Sequence, residues 1–266
     1  MARIIAVANQ KGGVGKTTTA VNLAACLAAA EKRTLLVDMD PQANATSGFG
    51  IDRKAQRLTI YDLIISDASF EQVVLRGIVP WLDVIPSGVN LAGAQVELLQ
   101  LENRENRLKR ALSAALSPLM MADERRYDVV LIDCPPSLGL LTINALVAAR
   151  SVLVPLQCEY YALEGLEQLL DTVKLVRGAL NPHLEIEGIV LTMFDGRTNL
   201  SHQVETEVRG FFGEKVYQTV IPRNVRLSEA PSFGKPIVFY DISCTGALAY
   251  INLAKEVMNG GEESTR

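Results

Sequence analysis

The stretch Ile4-Ile5-Ala6-Val7-Ala8-Asn9-Gln10-Lys11-Gly12-Gly13-Val14-Gly15-Lys16-Thr17-Thr18 decides the fold. Its apolar opening reads as a buried strand and its glycines as a tight loop. The alanine- and leucine-rich run from Lys16 to about Ala30 reads as a helix of high intrinsic propensity. In that order the three form a phosphate cradle. Gly12, Gly13 and Gly15 carry no Cβ to keep backbone N–H groups, or those of Val14, away from phosphate oxygens. The helix adds its positive N-terminal end, which also involves Thr18. Lys16 is spaced to reach the β- and γ-phosphates of a nucleoside triphosphate, and the Thr17 hydroxyl to ligate Mg²⁺. The common form of this loop has glycine six residues before the lysine; here that position is Gln10, and a second lysine, Lys11, stands at the entrance. Two lysines bring more positive charge than one triphosphate needs. Lys11 therefore either serves a different nucleotide or is a solvated surface lysine.

Outward from the loop, strand-like apolar runs recur at Ile4–Ala8, Thr34–Val37, Leu82–Ile85, Val129–Ile132, Val152–Leu156, Ile186–Leu191 and Val216–Ile221. Helical patterns separate most of them, which predicts an α/β fold with a doubly wound, mostly parallel sheet and helices on both faces. The segment from Gly93 to Pro118 reads as one or two amphipathic helices whose arginines and lysines form a solvated face. Nothing marks an internal boundary, so residues 1–258 read as one domain built on this phosphate loop and 259–266 as a flexible tail that frays at Gly260-Gly261-Glu262-Glu263.

The 266 residues suffice to bury roughly 75% of the unfolded surface without staples. Cys26, Cys134, Cys158 and Cys244 lie far apart with no Cys-x-x-Cys or Cys/His cluster, which excludes a sequence-evident zinc site and favours a reducing cytosol. Only His183 and His202 are present, so histidine acid–base chemistry has little to work with. The net charge of −4 argues against nucleic-acid binding by the whole surface while leaving room for a local basic patch. No signal pattern or bilayer-length apolar stretch is seen, and the cytoplasm is the expected compartment.

Two more strand ends carry chemistry. Leu35-Leu36-Val37-Asp38-Met39-Asp40-Pro41 brings Asp38 and Asp40 to the carboxyl end of its strand, beside the phosphate loop. Asp38 is placed to support magnesium through water, or to hold the turn before Pro41; Asp40 is placed to orient or deprotonate the attacking water. Val129-Val130-Leu131-Ile132-Asp133-Cys134 ends in a second magnesium-side carboxylate, Asp133. Cys134, with no histidine near it in sequence, reads as a small buried residue rather than a nucleophile. Phosphoryl transfer to water needs positioning and charge neutralisation, which Lys16, Thr17, Asp40 and Asp133 can supply.

Lys11 to Thr18, Asp38-Met-Asp40-Pro-Gln and Asp133-Cys-Pro-Pro-Ser137 together resemble the deviant-Walker ATPases. The runs from Pro155 to Gly165 and from Val220 to Pro231 resemble the chromosomal ParA (Soj) branch, over about Arg3 to Glu256. The resemblance implies an ATP- and Mg²⁺-dependent homodimer in which Lys11 of one subunit crosses to the other's nucleotide, and in which Asp40 governs hydrolysis rather than binding. It implies adenine contacts from Pro222 and Asn224, and binding of nonspecific double-stranded DNA through Arg197 and Arg226, with Arg223 and Lys235 as further candidates. It also implies a centromere-binding partner of the ParB type that stimulates a weak ATPase and releases the protein from the nucleoid. Without the resemblance, these arginines read as scattered surface charge, because acidic residues interleave them.

Two departures narrow that reading. The loop begins only ten residues in, leaving no room for the N-terminal DNA-binding extension of many plasmid relatives. The Gly-Gly-Glu-Glu-Ser ending lacks the basic amphipathic membrane helix of MinD-like relatives, so no membrane partner is expected. The alternatives are a MinD-like positioning ATPase, a ligase of the dethiobiotin type or a metal-cluster carrier. The last needs a cysteine pair at a dimer seam, and none is evident.

Overall fold

A computed structural model describes residues 2–116, 126–159 and 162–263. The strands are β1 (Arg3–Val7), β2 (Thr34–Asp38), β3 (Leu75–Val79), β4 (Leu82–Ile85), β5 (Val129–Asp133), β6 (Ser151–Gln157) and β7 (Glu185–Thr192). They form one sheet in the order β3-β4-β2-β5-β1-β6-β7, parallel except for the antiparallel edge strand β3. Helices α1 (Lys16–Ala29), α2 (Asn44–Gly48), α3 (Ile60–Ile64), α4 (Phe70–Val73), α5 (Leu91–Glu97) and α6 (Arg107–Ala115) belong to the first half. Helices α7 (Leu140–Ala148), α8 (Ala162–Ala179), α9 (Asn199–Phe212), α10 (Val225–Glu229), α11 (Ile237–Tyr240) and α12 (Thr245–Glu263) follow. The expected doubly wound, mostly parallel α/β architecture is what the chain adopts.

The strand sequences are apolar almost throughout because both faces of the sheet are covered. Successive residues feed opposite cores. Ala6, Val37, Ile132 and Val154 join one core; Ile5, Val7, Leu131 and Leu153 join the other, together with Leu23, Leu27, Tyr250 and Leu253 of α1 and α12. Helix α1 begins and ends within a residue of its expected bounds. Its alanine-rich surface lets α12 approach closely, and Thr19 and Tyr250 share a buried hydroxyl contact of 3.2 Å.

Three expectations change. The Val216–Ile221 run is not a strand: it follows β7 through the isolated bridge Ile189–Val216 and the bonds from Tyr217 N–H to Ile189 O and Ile221 N–H to Leu191 O, and the Phe194–Pro222 bridge lies just beyond both. The physical reason lies on α12, where the Glu256 carboxylate accepts the N–H groups of Gln218 and Thr219, both at 2.8 Å, and turns them from a ladder. The seventh strand is instead β3, whose Arg76 and Gly77 interrupt an apolar pattern. Between Gly93 and Glu102 lie the end of α5 and a 3₁₀ turn at Leu98–Gln100, and a second turn at Arg104–Asn106 precedes α6. The charges there are not simply solvated, since the Arg107 guanidinium donates to Ile64 O at 2.7 Å and pairs with Asp67 at 2.6 Å. Helix α12 continues through Gly260 to Glu263, so the expected tail begins inside a helix; Pro118, Tyr160, Tyr161 and residues 264–266 lie outside the described residues.

Candidate functional site

The loop after β1 is held from both sides. The Asn9 amide donates to Pro155 O of β6 at 2.8 Å, while its carbonyl oxygen accepts the Lys11 N–H at 3.0 Å. The Thr192 hydroxyl at the end of β7 donates to Val14 O at 2.9 Å. Gly13 and Gly15 adopt φ of 76° and 85°, left-handed values that favour glycine. Gly15 caps α1 without a side-chain bond, and the first bond of the helix runs from Thr19 N–H to Gly15 O at 2.8 Å. The N–H groups of Lys16, Thr17 and Thr18 therefore have no partner within the helix. Such a terminus suits an anion.

Lys16 is 6% exposed, and its ammonium donates to Lys11 O at 2.7 Å. Burial lowers its pKa against the opposing pull of Asp133, Cys134 and Asp40. The Lys11 ammonium forms an ion pair with Glu159 of the same chain. Gln10, the departure from the usual glycine, carries a buried side-chain oxygen with no partner.

Strand register sets the acidic groups. Because β5 lies between β1 and β2, Asp133 pairs in register with Val7 on one side and Asp38 on the other. All three chain positions reach the carboxyl edge, where ligands bind in sheets of this kind. Asp38 is fully buried and engaged: Oδ2 accepts the Thr46 N–H at 2.8 Å and the Thr46 hydroxyl at 2.7 Å, and Oδ1 accepts the Asp40 N–H at 3.1 Å. Those bonds hold the β2–α2 turn, the alternative role anticipated for this residue. Burial nonetheless pushes its pKa up to about 6.

Asp133 is the opposite case. It is fully buried and neither carboxylate oxygen has a hydrogen-bond partner. Burial drives its pKa well above the ordinary carboxylate range and the Asp38 charge adds to this, while the nearby Thr17 hydroxyl, short of full hydrogen-bond geometry, and the Lys16 charge favour the charged form. An unpaired buried carboxylate is costly, so one retained beside a helix N-terminus is suited to a cation or its water shell. Asp40 is 7% exposed; its Oδ1 accepts the Gln42 N–H at 2.9 Å and its backbone oxygen accepts the Ser87 hydroxyl at 2.7 Å. Cys134 is buried and its thiol pKa is pushed up by burial, then by Asp133, which suits an inert packing residue. Among the described residues no group of three or more His, Cys, Asp or Glu is arranged to hold a metal, so any cation here would need mostly water and phosphate ligands.

The segment carrying Pro222 and Asn224 reaches the same edge through the Phe194–Pro222 bridge and the bond from Arg223 N–H to Phe194 O. The Asn224 side chain is committed to the turn: it caps α10 through Leu227 N–H and donates to the Thr245 hydroxyl at 2.8 Å. Beside the loop opens a cavity of about 440 Å³, lined by Thr17, Thr18, Asn22, Ser47 and Lys235 among others. Neither Pro222 nor Asn224 lines it. Asn22, which the sequence reading did not single out, is committed to the fold: its amide donates to Thr18 O at 2.8 Å and its carbonyl oxygen accepts the Ile237 N–H at 2.6 Å.

The basic candidates divide. Arg197, whose side chain is 87% exposed, is bound bidentately to Asp195 at 2.8 and 2.7 Å. Arg197 and then Arg223 hold that carboxyl well below its ordinary range. Arg226 pairs with Glu229 at 2.9 Å and Asp241 at 3.6 Å. Lys235 stands apart, at the cavity beside Thr17 and Thr18. The acidic interleaving seen in sequence is real in space.

A family model described as an AAA domain matches residues 2–186. The chain is 58% identical to the sporulation initiation inhibitor protein Soj of Bacillus subtilis over 98% of this chain and 100% of that protein. It is 57% identical to the chromosome partitioning protein ParA of Myxococcus xanthus, covering 96% of this chain and 88% of the other. Among solved structures, the cobyrinic acid a,c-diamide synthase of Mycobacterium smegmatis with ADP and magnesium superposes with a TM-score of 0.83 at 36% identity, over 99% of this chain and 97% of that one.

Proposed function

The chain belongs to the Soj and ParA family of chromosome-partitioning proteins, and from that premise we propose that it is an ATP-hydrolysing DNA-segregation protein whose ATP-bound dimer occupies the nucleoid. The observation that carries the chemistry is the unpartnered, buried Asp133 beside Lys16 and Thr17 at the N-terminus of α1.

In this reading the backbone N–H groups from Gly12 to Thr18 and the Lys16 ammonium receive the phosphates, Lys16 exchanging Lys11 O for phosphate oxygens. The Thr17 hydroxyl, and Asp133 through water, would hold Mg²⁺, with Asp38 as the support that fixes the neighbouring turn. Bound magnesium would neutralise charge on the β- and γ-phosphates. Asp40 orients the attacking water, and Lys11 of the second subunit completes the charge balance. Pro222 and Asn224 flank the base from the β7 side, which requires Asn224 to exchange one of its present bonds.

Arg197, Arg223 and Arg226 give the dimer its DNA phosphate contacts, with Lys235, at the cavity beside Thr17 and Thr18, as a further candidate. A ParB-type partner stimulates hydrolysis and so ends DNA binding. No helix among the described residues is long and apolar enough to cross a membrane.

The test is DNA binding measured with ATP, with ADP and without nucleotide across a salt series. Binding only with ATP, weakening steeply as salt rises, is the expected result. Binding independent of nucleotide would overturn the proposal.

A further inference from the structure

Lys11 is fixed at every polar atom. Its N–H is bound by Asn9, its carbonyl oxygen accepts Lys16, and its ammonium is paired with Glu159. Asn9 in turn is bonded to Pro155 of β6, the strand whose extension carries Glu159, and Gly165 of α8 lies against both: a Cβ there would stand 3.8 Å from Asn9 Oδ1 and 3.9 Å from Lys11 Cβ. Glu159, just past β6, and Gly165 of α8 therefore hold the lysine of their own subunit. A lysine so held does not reach into a neighbouring molecule.

We propose that Glu159 is a positioning residue that retains Lys11 within its own subunit, so that only the charge of a partner's bound triphosphate draws the ammonium away. This rests on the cross-subunit role of Lys11 proposed above. A diphosphate presents less charge to compete with the Glu159 carboxylate, and the pair thus contributes to the distinction between the two nucleotides at the step of dimerisation. The lysine and glutamate side chains are 36% and 32% exposed, which sets the strength at that of a partly screened ion pair. Two such pairs open for each dimer formed. A release of about threefold per pair becomes about tenfold in the dimerisation constant.

The experiment is sedimentation equilibrium with ATPγS and, separately, with ADP on the wild type, Glu159→Gln, Glu159→Asp, Lys11→Ala and the Lys11→Ala/Glu159→Gln double variant. ADP affinity of the single subunit serves as the control for folding. Glu159→Gln is expected to dimerise about tenfold more tightly with ATPγS and to gain detectable dimer with ADP. Glu159→Asp should restore wild-type behaviour, and the double variant should match Lys11→Ala. If Lys11→Ala abolishes the dimer while Glu159→Gln leaves it unchanged or weakened, the restraint is wrong and the cross-subunit role stands. If Lys11→Ala dimerises normally, the underlying role fails and the restraint with it.

Discussion

Asp38 and Asp133 face each other in register across β2 and β5, yet one accepts three hydrogen bonds and the other accepts none. Two aspartates at equivalent strand ends thus do different things. Asp38 builds the turn into α2. Asp133 is left free at a cost in stability, as groups kept for a ligand often are.

Replacing Asp133 by asparagine should stabilise the nucleotide-free protein while removing hydrolysis. A carboxyl whose folded pKa is raised favours the fold below its unfolded pKa, near 3.9, and loses that contribution as pH rises through the folded value. Asparagine does not titrate, so the gain in melting temperature should be larger at pH 8 than at pH 5. A gain of about 1–3 kcal/mol is expected at the higher pH. Melting curves of both proteins at the two pH values check it.

Thr46→Val tests the structural role of Asp38. The hydroxyl donates to the Asp38 carboxylate and accepts the Ser87 N–H at 2.9 Å, so its loss leaves both groups short of a partner. Stability should fall by about 1.5–3 kcal/mol in urea denaturation.

The two halves of the proposed nucleotide chemistry separate by mutation. Lys16→Ala should weaken ATP binding roughly 10- to 150-fold, the loss of a charge-assisted contact. Asp40→Ala should bind ATP normally, hydrolyse it roughly 100-fold more slowly and accumulate on DNA as a dimer. Calorimetric titration and phosphate release distinguish them; an Asp40→Ala protein hydrolysing at the normal rate would remove the water-positioning role.

Arg226→Glu should weaken DNA binding without changing ATP affinity, and should lower the salt slope by about two, one contact from each subunit of a dimer. Asp195→Asn should act in the opposite direction, because it frees Arg197 from its bidentate partner. Fluorescence anisotropy with a labelled duplex at several salt concentrations measures both.

The phosphate loop, its strand and its helix were legible because local spacing alone dictates them. The three aspartates were legible as positions but not as roles: what separates Asp38 from Asp133 is Thr46, eight residues along in a short helix, whose hydroxyl no pattern assigns. Strand β3 escaped notice because an edge strand needs no continuous apolar run, and Val216–Ile221 misled because Glu256, distant in sequence, takes the two backbone donors at its centre, Gln218 and Thr219. Lys235 matched the DNA candidates by motif, while the turn at 230–235, packed on α2, sets it on the same cavity as Thr17 and Thr18.

The bond from Thr192 to Val14, with Asn9 tied to Pro155, has a thermodynamic consequence. The loop's shape is settled when the sheet folds, so the conformational entropy of about 1–2 kcal/mol per ordered residue is not charged against nucleotide affinity. Association with the first ligand should accordingly be fast and show a small heat-capacity change, leaving the larger heat-capacity signature to the meeting of two subunits.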